Sequence, residues 1–407
     1  MQILDLHHVN KLILKKQRLS EDSKIDDIVQ ITEDLCGLHS TDLKTSYLSL
    51  FARTNKFTKA DLERELYEKK TLGRVRGMRR TLFIETANLI PIVYAATFNL
   101  IEKSFEKYME FHKVALGEYQ EISQNIMKIL KERELSASEI RKELNSKSNI
   151  PAIIQLMCNH GLLIRGKPIK DWKDRRNKYA LFKDYFPTLD LNKLNEKEAM
   201  QKIIEKYVKT YGPVTETDIS WWTGLTKAKI KDTLKKIEKV VERIKINNIQ
   251  KTYIILKEDL NNLVDNPFRE KTSLILIPEL DPYPMGYKDR ERYIDSKNLN
   301  KLFDRSGNIT STIILDGIPI GVWDTEENPE PIVKFHLFHS IADQLLDGIY
   351  SKAEKIGQFI FDRNVNVKKC KKMTPLTERT AGGFMTPLKN STSYNWKSRR
   401  ERDYFFF

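Results

Sequence analysis

Three side chains that can take part in chemistry lie close together at His39, Thr41 and Asp42, in the stretch LCGLHSTDLKTSYLSLFAR of residues 35–53. A neutral imidazole can accept a proton from water or hold that water by a hydrogen bond. A hydroxyl can supply a second contact, and a carboxylate can stabilise nearby positive charge. Alternatively, Thr41 or Asp42 caps the following helix, which both residue types favour. Two amphipathic helical segments joined at Gly37 are expected to position this group.

Other chemistries find little support in the sequence. Three cysteines are widely separated and form no CxxC pair, so neither a disulfide framework nor a zinc site is expected: Cys36, Cys158 and Cys370. The closest approaches to a ligand cluster are His7 with His8, and His336 with His339 near Asp343, and neither has the spacing of a zinc site. GxxxxGK and GxSxG motifs are absent. We therefore predict no metal and no cofactor.

Composition and charge limit the class of protein. A chain of 407 residues with 40% apolar residues predicts several domains. No apolar run reaches the ~18 residues of a membrane helix, and the N-terminus MQILDLHHVNKLILKK lacks the features of a signal peptide. We expect a cytoplasmic, nucleoid-associated protein without a membrane partner. The net charge of +14 favours an anionic partner, although residues 363–407 alone carry eleven Lys or Arg against three acidic residues.

Three stretches repeat the order helix, helix, strands. Residues 24–84 show it with an indistinct wing, whereas residues 136–181 and 196–256 each end in two strand candidates. The boundaries are marked by cap signals, such as Thr215 with Asp218 at the start of ETDISWWTGL. This spacing is typical of a helix-turn-helix with a two-stranded wing.

After about residue 270 the sequence pattern predicts mainly β-strands. SLILIPEL, STIILDGIPIGVWD and PIVKFHLF read as strands, with a hairpin turn at Asp316-Gly317, and a long helix follows. We predict an α+β fold of three tandem winged helices, a small antiparallel β-barrel-like domain, a C-terminal helix and a basic tail. The predicted divisions are 1–115, 116–190, 191–268, 269–338, 339–362 and 363–407.

Winged helices bind duplex DNA or serve as protein-interaction modules. The segment between Arg165 and Lys178 carries seven cations, and RVRGMRR carries four arginines before a strand, which favours phosphate contact over base reading. The predicted DNA contacts are Arg53, Arg76, Arg79, Arg80, Arg165, Lys167, Lys170, Trp172, Arg175, Arg176, Tyr287 and Arg290. Tyr287 and Arg290 fit either the core or a DNA channel.

Several stretches together resemble one family. GLHSTDLKTSYLSLFAR, RTLFIETANLIPIV, HGLLIRG, KYVKTYGPVTETDISWWTGL, ELDPYPMGYKDRE and TIILDGIPIGVWD occur in the order of the landmarks of winged-helix DNA glycosylases of the AlkZ and YcaQ type, from about residue 5 to residue 360. The resemblance implies three winged helices and a β-barrel around a DNA channel. It also implies excision of bulky N-alkylated purines and unhooking of interstrand crosslinks.

The chain departs from that family at its catalytic motif. The family has QxQ or QxD where this sequence has His39-Ser40-Thr41. Alkylation at guanine N7 or adenine N3 makes the base a cation and a good leaving group. What remains is to place a water and to stabilise charge on the sugar. His39 is the predicted water ligand, Thr41 a second contact, and Asp42 a stabilising anion.

Three hypotheses follow. The first is a monofunctional DNA glycosylase, because no lysine is evidently placed as a Schiff-base nucleophile, acting as a monomer on duplex DNA with alkylated purines. The second is a non-catalytic winged-helix DNA-binding protein that has lost hydrolysis. The third is a protein-interaction scaffold, which predicts no salt-dependent affinity for duplex DNA.

Overall fold

The computed structural model describes residues 1–265, 272–327 and 329–374. The predicted basic tail therefore lies outside the described residues from position 375 onward. Among the described residues, none of the helices combines the length and the apolar character of a membrane span.

Helices are numbered here in chain order. Those of the N-terminal half are α1 (Leu6–Lys16), α2 (Ile28–Asp34), α3 (Leu43–Phe51), α4 (Lys59–Glu63), α5 (Leu89–Glu102), α6 (Phe105–His112), α7 (Leu116–Ile129), α8 (Ala137–Glu143) and α9 (Ile150–Asn159). Those that follow are α10 (Phe182–Tyr185), α11 (Glu196–Tyr211), α12 (Glu216–Thr223), α13 (Lys227–Lys236), α14 (Lys257–Asp265), α15 (Pro282–Met285), α16 (Leu299–Leu302) and α17 (Asp343–Phe361). The predicted capping box of Thr215 with Asp218 is confirmed at the start of α12.

The strands form three sheets. They are β1 (Ile3–Leu4), β2 (Leu38–His39), β3 (Leu72–Arg76), β4 (Leu82–Thr86), β5 (Leu135–Ser136), β6 (Leu163–Pro168), β7 (Asn177–Leu181), β8 (Val241–Ile246), β9 (Ile249–Leu256), β10 (Leu274–Ile277), β11 (Thr312–Leu315), β12 (Ile318–Glu326), β13 (Ile332–Leu337) and β14 (Asn366–Lys369). The predicted β11–β12 hairpin is present, and both Asp316 and Gly317 at its turn have positive φ.

One six-stranded sheet joins the first two helical units, in the order β2-β4-β3-β6-β7-β5. Strands β3 and β4 form the hairpin that was indistinct in the sequence, and β3 meets β6 where Arg74 lies opposite Arg165. The first two units therefore share backbone hydrogen bonds. Strand β2, which carries His39, forms one edge of this sheet.

The third unit contains α11, α12, α13 and the antiparallel hairpin β8–β9, in the predicted order. Its sheet gains a third strand from the chain's N-terminus, because β1 pairs in parallel with β8. Residues at the very start of the chain thus pack with the third unit.

The C-terminal sheet differs from the predicted antiparallel barrel. Its described strands follow the linear order β10-β11-β12-β13-β14, and β13 and β14 are parallel, so the sheet is mixed. Strand β14 also corrects the prediction that periodic structure ends before the tail, since residues 366–369 complete the sheet edge. The apolar face of α17 packs against this sheet through Ile349, Ala353 and Ile356.

Candidate active site

A tight turn brings His39 to the sheet edge. Helix α2 is followed by Cys36 and Gly37, both with positive φ, and the Gly37 amide donates to the Thr32 carbonyl at 2.9 Å. The chain then enters β2, in which His39 pairs with Phe83 of β4. The predicted helical junction is therefore a helix end followed by a two-residue strand.

Packing holds the His39 ring in place. The side chain is 5% exposed, and its ring meets the Phe83 ring edge to face at a centroid distance of 5.5 Å. Ser46 Oγ donates to the His39 carbonyl at 2.9 Å and ties β2 to the start of α3. His39 Nδ1 is enclosed and has no hydrogen-bond partner among the described protein atoms. The ring is thus fixed by its neighbours.

The surroundings keep this imidazole uncharged. Burial lowers the pKa of His39 to about 3, the positive charges of Arg79 and Arg74 act in the same direction, and Asp42 opposes them. A base this weak holds a water by a hydrogen bond far better than it removes a proton from one.

A buried arginine braces the loop behind His39. Arg74 Nη2 donates to the Ser40 carbonyl at 2.6 Å, and its Nη1 donates to Asn177 Oδ1 at 2.8 Å. Burial, reinforced by the nearby Arg165, lowers the pKa of Arg74 to about 10, so the group stays charged at neutral pH. The second unit therefore helps to fix the backbone of residues 39–41.

Asp42 serves as a helix cap. Its Oδ1 accepts from the Lys44 amide at 3.1 Å at the start of α3, as the alternative interpretation predicts. Its Oδ2 accepts from Arg175 Nη2 at 2.8 Å, in a pair whose arginine is half exposed. Thr41 is exposed beside it. The structure thus brings together His39, Thr41, Asp42 and Arg175.

Arg53 does not face a DNA channel. It is fully buried, and its guanidinium donates to both oxygens of Asp281, each at 2.8 Å. It also donates to the carbonyls of Gln17 and Ser49, each at 2.9 Å. This burial does not support the predicted DNA contact, because the side chain bonds only groups inside the protein, at the ends of α1 and α3 and just before α15.

Three other predicted DNA contacts are also buried, which corrects those predictions. Arg165 Nη2 donates to Gln155 at 2.6 Å. The Trp172 ring packs 5.0 Å from the Tyr47 ring. The Tyr287 hydroxyl donates to the Tyr211 carbonyl at 2.7 Å. In this conformation these side chains make contacts inside the protein and are not available to a DNA phosphate.

The remaining predicted contacts are at least partly exposed. Those on the β6–β7 hairpin are exposed: Lys167, Lys170, Arg175 and Arg176. Arg176 is paired with Asp174 at 2.8 Å. Arg76, Arg79 and Arg80 are half-buried around the β3–β4 turn, where Arg79 and Arg80 both have positive φ.

A group of residues around Trp221 was missed by the sequence reasoning. The Arg79 guanidinium lies 4.4 Å and the Lys288 ammonium 4.7 Å from the centre of the Trp221 ring. Arg290 stacks 3.4 Å from the Phe303 ring centre. One signal was available in WWTGL. Neighbouring residues on a helix point apart, and here Trp222 is buried whereas Trp221 is half-buried. We call Arg79, Trp221, Lys288 and Arg290 the Trp221 cluster.

Metal ligation finds no support in this geometry. The described residues contain no group of three or more His, Cys, Asp or Glu side chains arranged to hold an ion.

Comparison with known proteins identifies the family. Residues 32–359 match the family model described as DNA glycosylase AlkZ-like, which covers most of the chain, so the protein belongs to the AlkZ-like DNA glycosylases. Among solved structures, the fold resembles the Streptomyces sahachiroi DNA glycosylase AlkZ with a TM-score of 0.74 at 17% sequence identity, over 91% of this chain and 100% of the other. No curated protein matches the chain.

Proposed function

We propose that this protein hydrolyses the N-glycosidic bond of bulky N-alkylated purines in duplex DNA, of the N7-alkylguanine and N3-alkyladenine type, and unhooks interstrand crosslinks built on them. Family membership supports glycosylase chemistry. The observation that carries the proposal is the neutral, immobilised His39 at the sheet edge, beside Thr41 and Asp42.

The substrate's own chemistry suits such a site. An alkylated purine already carries a positive charge and leaves without a strong general acid. The enzyme then needs mainly to place a water at the anomeric carbon and to stabilise charge on the sugar. A weakly basic His39 meets the first need, and we assign it the water through Nε2, since Nδ1 is enclosed. Thr41 is the proposed second water contact.

Asp42 is the proposed source of negative charge near the sugar. One of its oxygens caps α3 and the other is held by Arg175. Because Arg175 is half exposed, a DNA phosphate can compete for its guanidinium. Binding of DNA would then loosen the pair and leave more of the Asp42 charge available to the sugar.

The Trp221 cluster is the proposed contact for the DNA backbone next to this site. It gathers three cations from two separate segments around aromatic rings, and Arg79 is close enough to His39 to depress the pKa of the imidazole. Aromatic rings with flanking cations suit a nucleic-acid strand. The exposed lysines Lys167 and Lys170 extend the proposed contact along the β6–β7 hairpin.

Replacing Lys288 with alanine is expected to weaken duplex binding several-fold, equally for all sequences, and to reduce the salt slope of log Kd by about 1. The reason is that Lys288 is exposed and makes no ion pair among the described residues. Fluorescence anisotropy at several salt concentrations measures the slope. The matched control is Lys297→Ala, an exposed lysine that is already paired with Asp295 at 2.7 Å. If both variants show the same salt slope of log Kd, the Trp221 cluster does not contact the DNA backbone.

The function itself is tested with pure wild-type protein and a duplex containing one N7-alkylguanine. Release of the base, seen as an alkali-labile abasic site, is the expected result. Tight binding without base release would instead support the non-catalytic DNA-binding protein. Absence of salt-dependent affinity would support the interaction scaffold.

The low pKa of His39 predicts that the rate of base release changes little as the pH falls below 7. A histidine of ordinary pKa near 6.5 would lose activity as pH falls through that value. Here the folded pKa of about 3 keeps the imidazole neutral well below it. We expect single-turnover rates on a pre-formed alkylguanine cation to change by no more than about twofold between pH 5 and pH 7. A tenfold fall centred near pH 6.5 would show that His39 titrates normally in the complex.

A further inference from the structure

A buried carboxyl group close to the candidate site has no assigned role. Glu85 lies on β4 with no exposed surface, and neither of its carboxyl oxygens has a hydrogen-bond partner among the described protein atoms. Burial and the neighbouring Glu33 raise the pKa of Glu85 well above its usual range, which favours the neutral form of the carboxyl group. The nearby Lys206 is committed to Glu33 at 2.7 Å. Buried polar groups without partners are rare and call for an explanation.

The sheet register places this acid on the same face as His39. His39 pairs with Phe83, and Glu85 follows Phe83 by two residues, so the side chains of all three point to one side. His39 and Glu85 are diagonal neighbours, which lie roughly 7–8 Å apart in antiparallel sheets, within reach of long side chains.

Gly37, two residues before His39 and just before β2, shows where the carboxyl group lies. A Cβ at Gly37 would lie 2.4 Å from Glu85 Oε1, so the carboxyl group occupies space that only a glycine leaves open. It is thereby directed across the sheet edge toward the strand of His39. Any other residue at position 37 would displace it.

The two groups have complementary needs. If His39 Nε2 accepts a hydrogen bond from the substrate water, the ring proton must sit on Nδ1, and that N–H requires an acceptor. Nδ1 has none among the described protein atoms, and the carbonyl oxygen of the neutral Glu85 carboxyl group is an unused acceptor. In histidine-dependent sites the group bound to the far nitrogen commonly sets the tautomer.

We propose that Glu85 is a positioning residue for His39, whose carboxyl oxygen accepts the Nδ1–H hydrogen bond, directly or through one buried water, and keeps Nε2 unprotonated toward the substrate. No proton is transferred between the two groups. The consequence for catalysis rests on the proposed function, whereas the tautomer does not.

Two substitutions separate this role from a structural one. Glu85→Gln keeps an acceptor oxygen of the same shape, and Glu85→Leu removes it while still filling the space. Nitrogen-15 NMR of the imidazole, assigned with His39→Ala, is expected to show the Nδ1–H tautomer in the wild type and in Glu85→Gln, and loss of that preference in Glu85→Leu. Base release is expected to fall by at least about tenfold in Glu85→Leu and to change little in Glu85→Gln.

The proposal is overturned if the wild type carries its proton on Nε2, a result that requires no variant to fold. It is also overturned if Glu85→Leu leaves the tautomer and the rate unchanged. If the wild type releases no base, the proposed function fails, and the NMR result still decides whether Glu85 orients His39.

Discussion

The His39→Ala variant is expected to release an N7-alkylguanine about 10²- to 10⁴-fold more slowly than the wild type, with duplex affinity nearly unchanged. The loss follows because the imidazole is the proposed ligand of the attacking water. Affinity should persist because the ring is buried and the proposed phosphate contacts lie elsewhere. Single-turnover kinetics at saturating enzyme measure the chemical step apart from binding.

Two further variants make this result specific. His8→Ala removes a half-exposed histidine on α1 and should leave the rate unchanged. His39→Gln introduces the amide that the family resemblance places at this position, and an amide oxygen can also hold a water, so partial activity is expected. If His39→Ala retains the wild-type rate, Thr41 and Asp42 must position the water without it.

The Arg53→Ala variant is expected to lose about 3–5 kcal/mol of the free energy of unfolding. Both members of the Arg53–Asp281 pair are fully buried, so the substitution leaves a carboxylate in the core without its two guanidinium bonds. Urea denaturation followed by circular dichroism measures the change. Since the pair links α3 to the segment before α15, the site should loosen as the fold weakens.

The matched control is Arg175→Ala, which breaks an arginine–carboxylate pair of the same length, 2.8 Å, whose arginine is half exposed. An exposed pair of this kind contributes at most about 1 kcal/mol. A loss of similar size in both variants would mean that burial does not increase the contribution of the Arg53–Asp281 pair to the free energy of unfolding. Arg53→Met with Asp281→Leu should recover much of the stability, because no charge then remains buried.

Local signals in the sequence predicted much of the secondary structure. Capping residues such as Thr215 with Asp218, and the Asp316-Gly317 turn, fixed element boundaries because their preferences act over only a few residues. Strand β3 was harder to predict, since LGRVR contains a glycine and two arginines, and one of its two neighbouring strands, β6, lies far along the chain.

The site was predictable only in part, for the same physical reason. His39 and Asp42 are close in sequence, and a polar group at a helix boundary can be recognised locally. Arg53 and Lys288 carry the same formal charge in the sequence, yet one is buried against Asp281 and the other is exposed beside Trp221. Such differences depend on long-range packing, which the pattern of residue types does not contain.

A crystal structure of the protein bound to duplex DNA with a stable abasic-site analogue would show whether His39 holds the attacking water. We expect His39 Nε2 to lie about 3 Å from a water that faces the anomeric carbon of the abasic sugar. A sugar placed away from the edge of β2, with the His39 ring closed off from it, would show that His39 does not position the water.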